Sequence, residues 1–373
     1  MEKFSLTDIR RKNYSDIYRL IYQEKRVSKQ QIATALQMSL PTVTQHLTDL
    51  IGEGLIEKRG QLASSIGRKA AAYLPKADAY AAVGVEVLSD QATAVVLDLY
   101  GAVIQKKAVP LVFSQEDSYF DALAEMVDSL LEDCRIPKER VLGVGFGMQG
   151  LVSEDGREMT YGKILACTGL TIDVLEKRLA YPCRFIHDSE CAAYVELWRT
   201  PALTNAVYLS LGRHLGGAVI SGGRLLSGRT GRTGTFEHMT LVEGGLQCYC
   251  GKHGCMECYC SADALLEEDE SLEDFFSALR KNSPAHSARW VEYLGWLALA
   301  LNNIHMAIDS VIVLGGHIAP FLTEDDLAML FSLIQLRTAF PERENFLRLG
   351  VQESDVVAIG AAIPYIRDFL SSV

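Results

Sequence analysis

Four residues with metal-binding side chains fall within 18 positions of the chain: His238, Cys248, Cys250 and Cys255. One imidazole and three thiolates make a full tetrahedral donor set for Zn2+. Such a set leaves no position for a reactive water, so a structural role is expected. Gly251 and Gly254 lie between the ligands, where the backbone must bend around a small ion. His253, Cys258 and Cys260 are rival donors, but His238 leaves Cys248-x-Cys250-Gly-x-x-Gly-Cys255 intact as one knuckle. Of nine cysteines, five lie between positions 248 and 260, a clustering that favours metal over disulfides in a large cytoplasmic chain.

Two other groups of side chains could do chemistry. Asp188 follows the apolar pair Phe185-Ile186 and then His187. At the C-terminal end of a strand its carboxylate would face the crevice where α/β folds bind ligands, the place of a general base in a kinase. It also suits the cap of a helix over Glu190 to Trp198. Near the amino terminus, Thr42, Thr44, Gln45, His46 and Thr48 form an uncharged hydrogen-bonding surface able to reach base edges of double-stranded DNA. Arg68 and Lys69, in the basic stretch Ser64 to Lys69, suit a wing that touches the DNA backbone or minor groove.

The elements needed to position these groups can be read from periodicity. Ile17, Leu20 and Ile21 recur at helical spacing. Ser28 with Gln31 makes a capping box that opens a short second helix carrying Ile32, Ala35 and Leu36. Ser39 caps a third helix, with Pro41 in its first turn and Val43, Leu47, Leu50 and Ile51 as its buried stripe. Ile56 to Arg59 reads as a strand and Ala70 to Leu74 as its returning partner. The whole is a winged helix-turn-helix over residues 1–75. Residues 1–70 carry 6 Lys and 6 Arg against 7 acidic residues, while the entire chain has net charge −11. A basic head on an acidic body fits a protein whose head alone approaches phosphates.

Beyond residue 80 strands and helices alternate. Tyr80 to Val87, Thr93 to Leu99 and Val141 to Phe146 form one set of β-rich runs. Ala206 to Leu211, Gly216 to Ile220 and Val311 to Leu314 form another. Two similar α/β sets imply two lobes with a cleft between them. The lobes are expected over 76–200 and 201–354, with a C-terminal helix over 355–373 packing back on the first. No stretch of about 18 apolar residues occurs and Met1 to Ser5 carries an acid, so a cytoplasmic protein without a membrane span is expected.

These residues resemble the ROK family of repressors, open reading frames and kinases along essentially the whole chain. The resemblance is carried by His238 with Cys248-x-Cys250-Gly-x-x-Gly-Cys255-x-Glu257. Asp188-x-x-x-Ala192-Ala193, Gly315-Gly316 and Ala358-Ile-Gly360-Ala361-Ala362 support it. It implies an actin-like (ribonuclease-H-like) two-lobed domain. The head is similar to that of the regulator branch, the repressors of xylose and N-acetylglucosamine operons. Those proteins are homodimers or tetramers that bind palindromic operators and respond to a sugar, a sugar phosphate or a partner protein. Asp188, His238 and Glu257 match effector-binding positions. His187 and Thr235 stand where glucose-binding members carry Asn and Glu.

The departures argue against catalysis. The kinases' first phosphate turn, Asp-x-Gly-Gly-Thr, is here Glu86-Val87-Leu88-Ser89-Asp90, and the second, Gly-Thr-Gly-x-Gly, is Gly212-Arg213-His214-Leu215-Gly216. Cradling phosphate needs bare backbone N–H groups, which Leu88 and Asp90 oppose. The expectation is a regulator without kinase activity, controlled by a sugar or an acidic derivative welcomed by Arg213, His214 or Lys163, with the zinc loop transmitting closure to the heads. An active kinase with an added head, or a zinc-stabilised scaffold, is the alternative.

Overall fold

The computed structural model describes residues 6–62 and 70–373. The head folds as three helices, Leu6–Glu24, Lys29–Ala35 and Leu40–Gly52, against a small antiparallel sheet. In that sheet Ala70–Pro75 lies between Val27–Ser28 and Ile56–Leu62. The capping box forms, with Ser28 N donating to Gln31 Oε1 at 2.8 Å. Ser39 Oγ accepts from Thr42 N and so starts the third helix. Ile17, Ile21, Ile32, Val43, Leu47 and Leu50 close the core of the head. Two expected faces are exchanged. His46 is buried at 3% exposure and packs edge-on to Tyr14, whereas Ile51 is 41% exposed. On a helix advancing about 100° per residue, with position 43 at zero, position 46 falls at about −60°, next to 50 at about −20° on the edge of the inner face, and 51 falls at about +80° on the other edge.

Each lobe is built on a five-stranded sheet of the same topology. In the first, the order is Cys183–His187, Val141–Met148, Ala81–Val87, Gln91–Leu97 and Val103–Pro110, the first three parallel and the remaining pairs antiparallel. In the second, Arg224–Leu225, Leu215–Ser221 and Ala206–Leu211 run antiparallel, followed by parallel Val311–Gly315 and Leu347–Leu349. The helix Asp188–Arg199 leaves the first sheet and also touches Leu215–Ser221 of the second.

The C-terminal helix Val356–Ser372 lies directly on the middle strands of the first lobe. Contact is so close that a Cβ added at Gly84 would overlap the Ala358 carbonyl, and one at Gly145 the Ala361 carbonyl. This helix and the loop at Tyr100 also seat the head. Tyr22 stacks on Tyr100 with ring centroids 4.6 Å apart, Tyr22 Oη donates to Leu99 O at 2.6 Å, and Arg19 donates to Ser371 O at 2.9 Å. Among the described residues no helix is long and apolar enough to cross a membrane.

Candidate functional site

The knuckle expected from sequence assembles. Met239 and Met256 pair their backbones, and isolated bridges join Thr240 to Cys255 and Gln247 to His253. The loop thereby brings one donor atom from each of His238, Cys248, Cys250 and Cys255 within 4.8 Å of all the others. Cys248 Sγ lies 3.8 Å from His238 Nδ1, and Cys250 Sγ lies 3.8 Å from Cys255 Sγ. Tetrahedral zinc with Zn–S near 2.3 Å sets its sulfurs about 3.8 Å apart, so the donors fit that ion in chemistry and in spacing. The imidazole faces two ways: Nδ1 turns to the thiols, and Nε2 is left 3.9 Å from Glu237 Oε1.

Beside the knuckle a cavity of about 620 Å³ opens between the lobes. Its walls include the expected residues His187, Asp188, Thr235 and His238. Asp188 is the first residue of its helix. Its Oδ1 accepts from Ser189 N at 2.7 Å and lies 3.2 Å from His187 Nε2. Glu257 stands behind the wall: it accepts from Leu215 N at 2.8 Å and holds His214 Nδ1 at 2.8 Å, and it is His214 that reaches the cavity. That contact raises the His214 pKa, against the effect of its burial. Lys163 also lines the cavity, whereas Arg213 turns away to Asp263 at 3.4 Å.

Sequence reading passed over Glu237, which is 6% exposed and lines the cavity. Its Oε2 has no hydrogen-bond partner, and burial pushes its pKa up to about 8. The signal available was a charged residue set between apolar Phe236 and a metal ligand.

The stretches Glu86 to Asp90 and Gly212 to Gly216, read in the sequence as altered phosphate turns, are held by local contacts. Leu88 N donates to Gln91 O and closes a tight hairpin, while Ser89 O and Asp90 O accept from Phe113 N and Leu111 N. Glu86 is half-buried, and its pKa is pushed up to about 7 by desolvation and then by Asp188 and Asp355, against Lys106. In the second turn the His214 ring packs on Tyr249, and a Cβ at Gly216 would overlap Ser189 Oγ.

On the third helix of the head, Thr44, Gln45 and Thr48 are exposed and Thr42 is partly so. Gln45 Nε2 donates to Asp49 at 2.9 Å. His46 does not join this surface: its ring is inside, and burial lowers its pKa. Arg68 and Lys69 lie outside the described residues.

A two-lobed, actin-like α/β domain with a Cys/His knuckle beside its cleft is shared by sugar kinases and regulators, and the winged helix-turn-helix in front of it is the regulators' addition. The chain belongs to the ROK family: the family model matches residues 82–363, and a winged helix-turn-helix DNA-binding model matches residues 12–57. It is 27% identical over 264 residues to the DNA-binding transcriptional dual regulator NagC of Escherichia coli K12, a match that covers 70% of this chain and 64% of that protein. The alignment therefore spans less than two thirds of NagC. It is 20% identical over 380 residues to the xylose repressor of Caldicellulosiruptor bescii, covering 95% of each. A crystal structure of a ROK family transcriptional regulator, described as a homologue of the E. coli Mlc protein, superposes with a TM-score of 0.79 at 20% identity over 98% of this chain and 97% of that one.

Proposed function

We propose that the protein is a sequence-specific transcriptional repressor of the cytoplasm, acting as a pair of chains and controlled by a sugar-like ligand in the interlobe cavity. The observation that carries this reading is the third helix of the head. Its inner face is fully consumed by the core, and its outer face offers Thr44, Gln45 and Thr48, uncharged groups suited to base edges. Its relatives NagC and the xylose repressor are named as regulators of this kind. Zn2+ held by His238, Cys248, Cys250 and Cys255 would fix the loop that carries the cavity wall. When bound it supplies cross-linking, not chemistry.

The route from cavity to head supports ligand control. Asp188, in the cavity wall, begins a helix whose far end holds Trp198. Trp198 Nε1 donates to Tyr100 O at 2.8 Å, Arg199 donates to Gly101 O at 3.1 Å, and the Tyr100 ring stacks on Tyr22 of the head. A ligand that binds the closed lobes more tightly than the open ones would shift this helix, and with it the seat of the head. This is a second route besides the zinc loop expected from the sequence. Two heads about 34–36 Å apart would read two half-sites, so small rotations change affinity strongly.

The test is a mobility shift on duplex DNA from upstream of the protein's own gene. The fragment should be retarded, and Gln45→Ala with Thr48→Ala should cost about 1–3 kcal/mol of binding. Equal retardation of wild type and variant would contradict base reading by this helix. The kinase alternative is addressed by ADP release against a sugar panel, where the altered phosphate turns predict none above background.

A further inference from the structure

Hydrogen bonds within the head decide what its third helix can offer to DNA. Gln45 Nε2 donates to Asp49 Oδ1 at 2.9 Å. A carboxylate only accepts, so the Gln45 amide turns its nitrogen to Asp49 and its oxygen away. One N–H is spent there. The other N–H and the carbonyl oxygen remain for a partner. Asp49 is fixed in turn, because its Oδ2 faces Arg10 of the first helix at 3.4 Å and the buried His46 Nδ1 at 4.0 Å.

The hydroxyls on the same face are half spent as well. Thr44 Oγ1 donates to Leu40 O at 2.6 Å, and Thr48 Oγ1 donates to Thr44 O at 3.0 Å. A hydroxyl has one proton, so each threonine shows a partner only its methyl group and acceptor lone pairs. Leu40, 40% exposed, and Pro41 add apolar surface in the first turn.

The helix Leu40–Gly52 contains neither lysine nor arginine. Those are the usual readers of guanine, whose major-groove edge offers two acceptors, N7 and O6. Adenine offers an acceptor, N7, beside a donor, its N6 amino group. The free N–H and the oxygen of Gln45 match that pair, whereas on guanine they would set oxygen against oxygen. Thymine adds a methyl group, which suits Leu40 and the threonine methyls.

We infer that Asp49 is a positioning residue that makes Gln45 a reader of adenine, and that this helix selects a half-site in which that adenine lies among thymines. Asp49 itself touches no base. The inference rests on the regulator reading above and names what the head reads.

The test is selection of duplexes from a library with a random centre by the full-length, zinc-loaded chain, followed by sequencing of the bound fraction. The half-sites recovered should hold a constant adenine flanked by thymines. In the selected duplex, guanine in place of that adenine should weaken binding about ten-fold or more. 7-Deazaadenine, which lacks the N7 acceptor, should weaken it too. Deoxyuridine for a flanking thymine, which removes only the methyl group, should cost about four-fold.

Asp49→Ala should bring the ratio of adenine to guanine affinity close to one. Asp49→Asn, which keeps an acceptor oxygen, should retain part of that ratio. A merely structural role for Asp49 would weaken every duplex by the same factor and leave the ratio unmoved. If Asp49→Ala does not fold, Gln45→Ala, on the exposed face, carries the test and should lose the same ratio. Equal weakening of the adenine and guanine duplexes, or recovered half-sites built around guanine, would overturn this inference and leave the regulator reading intact. A library from which no sequence is enriched would overturn both.

Discussion

Cys250 is a half-buried thiol 3.8 Å from the Cys255 thiol, one of the four donors proposed to hold zinc. Cys250→Ser should reduce bound zinc from one per chain to near zero and lower the melting temperature, both read on the same sample by metal analysis and thermal unfolding. A variant that keeps full stability without metal would show the knuckle to be dispensable. The His214–Glu257 contact makes a pH-dependent prediction. The folded pKa of His214 lies above its ordinary 6.5, so protons bind the folded chain more tightly there. The stabilisation is therefore complete below about pH 6.5 and fades as pH rises through the folded value. His214→Asn should cost about 1–2 kcal/mol at pH 5.5 and much less at pH 8.5, as measured by denaturant unfolding at the two pH values. The knuckle was legible in the sequence because its ligands are neighbours along the chain. Glu237 was not, because the value of a buried acceptor depends on which partners the fold withholds from it.

Among elements, the C-terminal helix shows how composition sets distance. Strand glycines 84 and 145 let it settle backbone to backbone on the first lobe, and Gly360 does the same against the Cys191 carbonyl. Gly145→Ala should push the helix off the sheet and cost about 1–3 kcal/mol, the usual penalty of overpacking. Gly52→Ala, at a position with open space around it, is the control and should be neutral or slightly stabilising in the same thermal scans. The strands of both lobes and the three head helices were readable from period and caps: Ser28 with Gln31 and Ser39 with Pro41 leave little freedom in where the helices begin. The face of His46 was misread because it lies at the edge of the apolar stripe, where a polar type suggests water and the angle dictates core. The stacking of Tyr22 on Tyr100 joins positions 78 apart, and no local pattern announces it.

For the whole molecule, a two-lobed ROK domain is joined to a winged helix-turn-helix head, and the helix Asp188–Arg199 runs from the cleft to the loop on which the head is seated. That tie is the claim on which the rest depends, and the energy available to it is about 1–3 kcal/mol, the ordinary size of a coupling between sites. The direct measurement is fluorescence anisotropy of a labelled operator, selected by the protein from random duplexes, titrated with and without saturating ligand. The wild type should change its DNA affinity about 5–150-fold when the cleft fills. Trp198→Phe, which lacks the bond to Tyr100, should bind DNA and ligand separately as well as before and lose most of that change. An operator affinity indifferent to a ligand that demonstrably occupies the cleft would contradict the account.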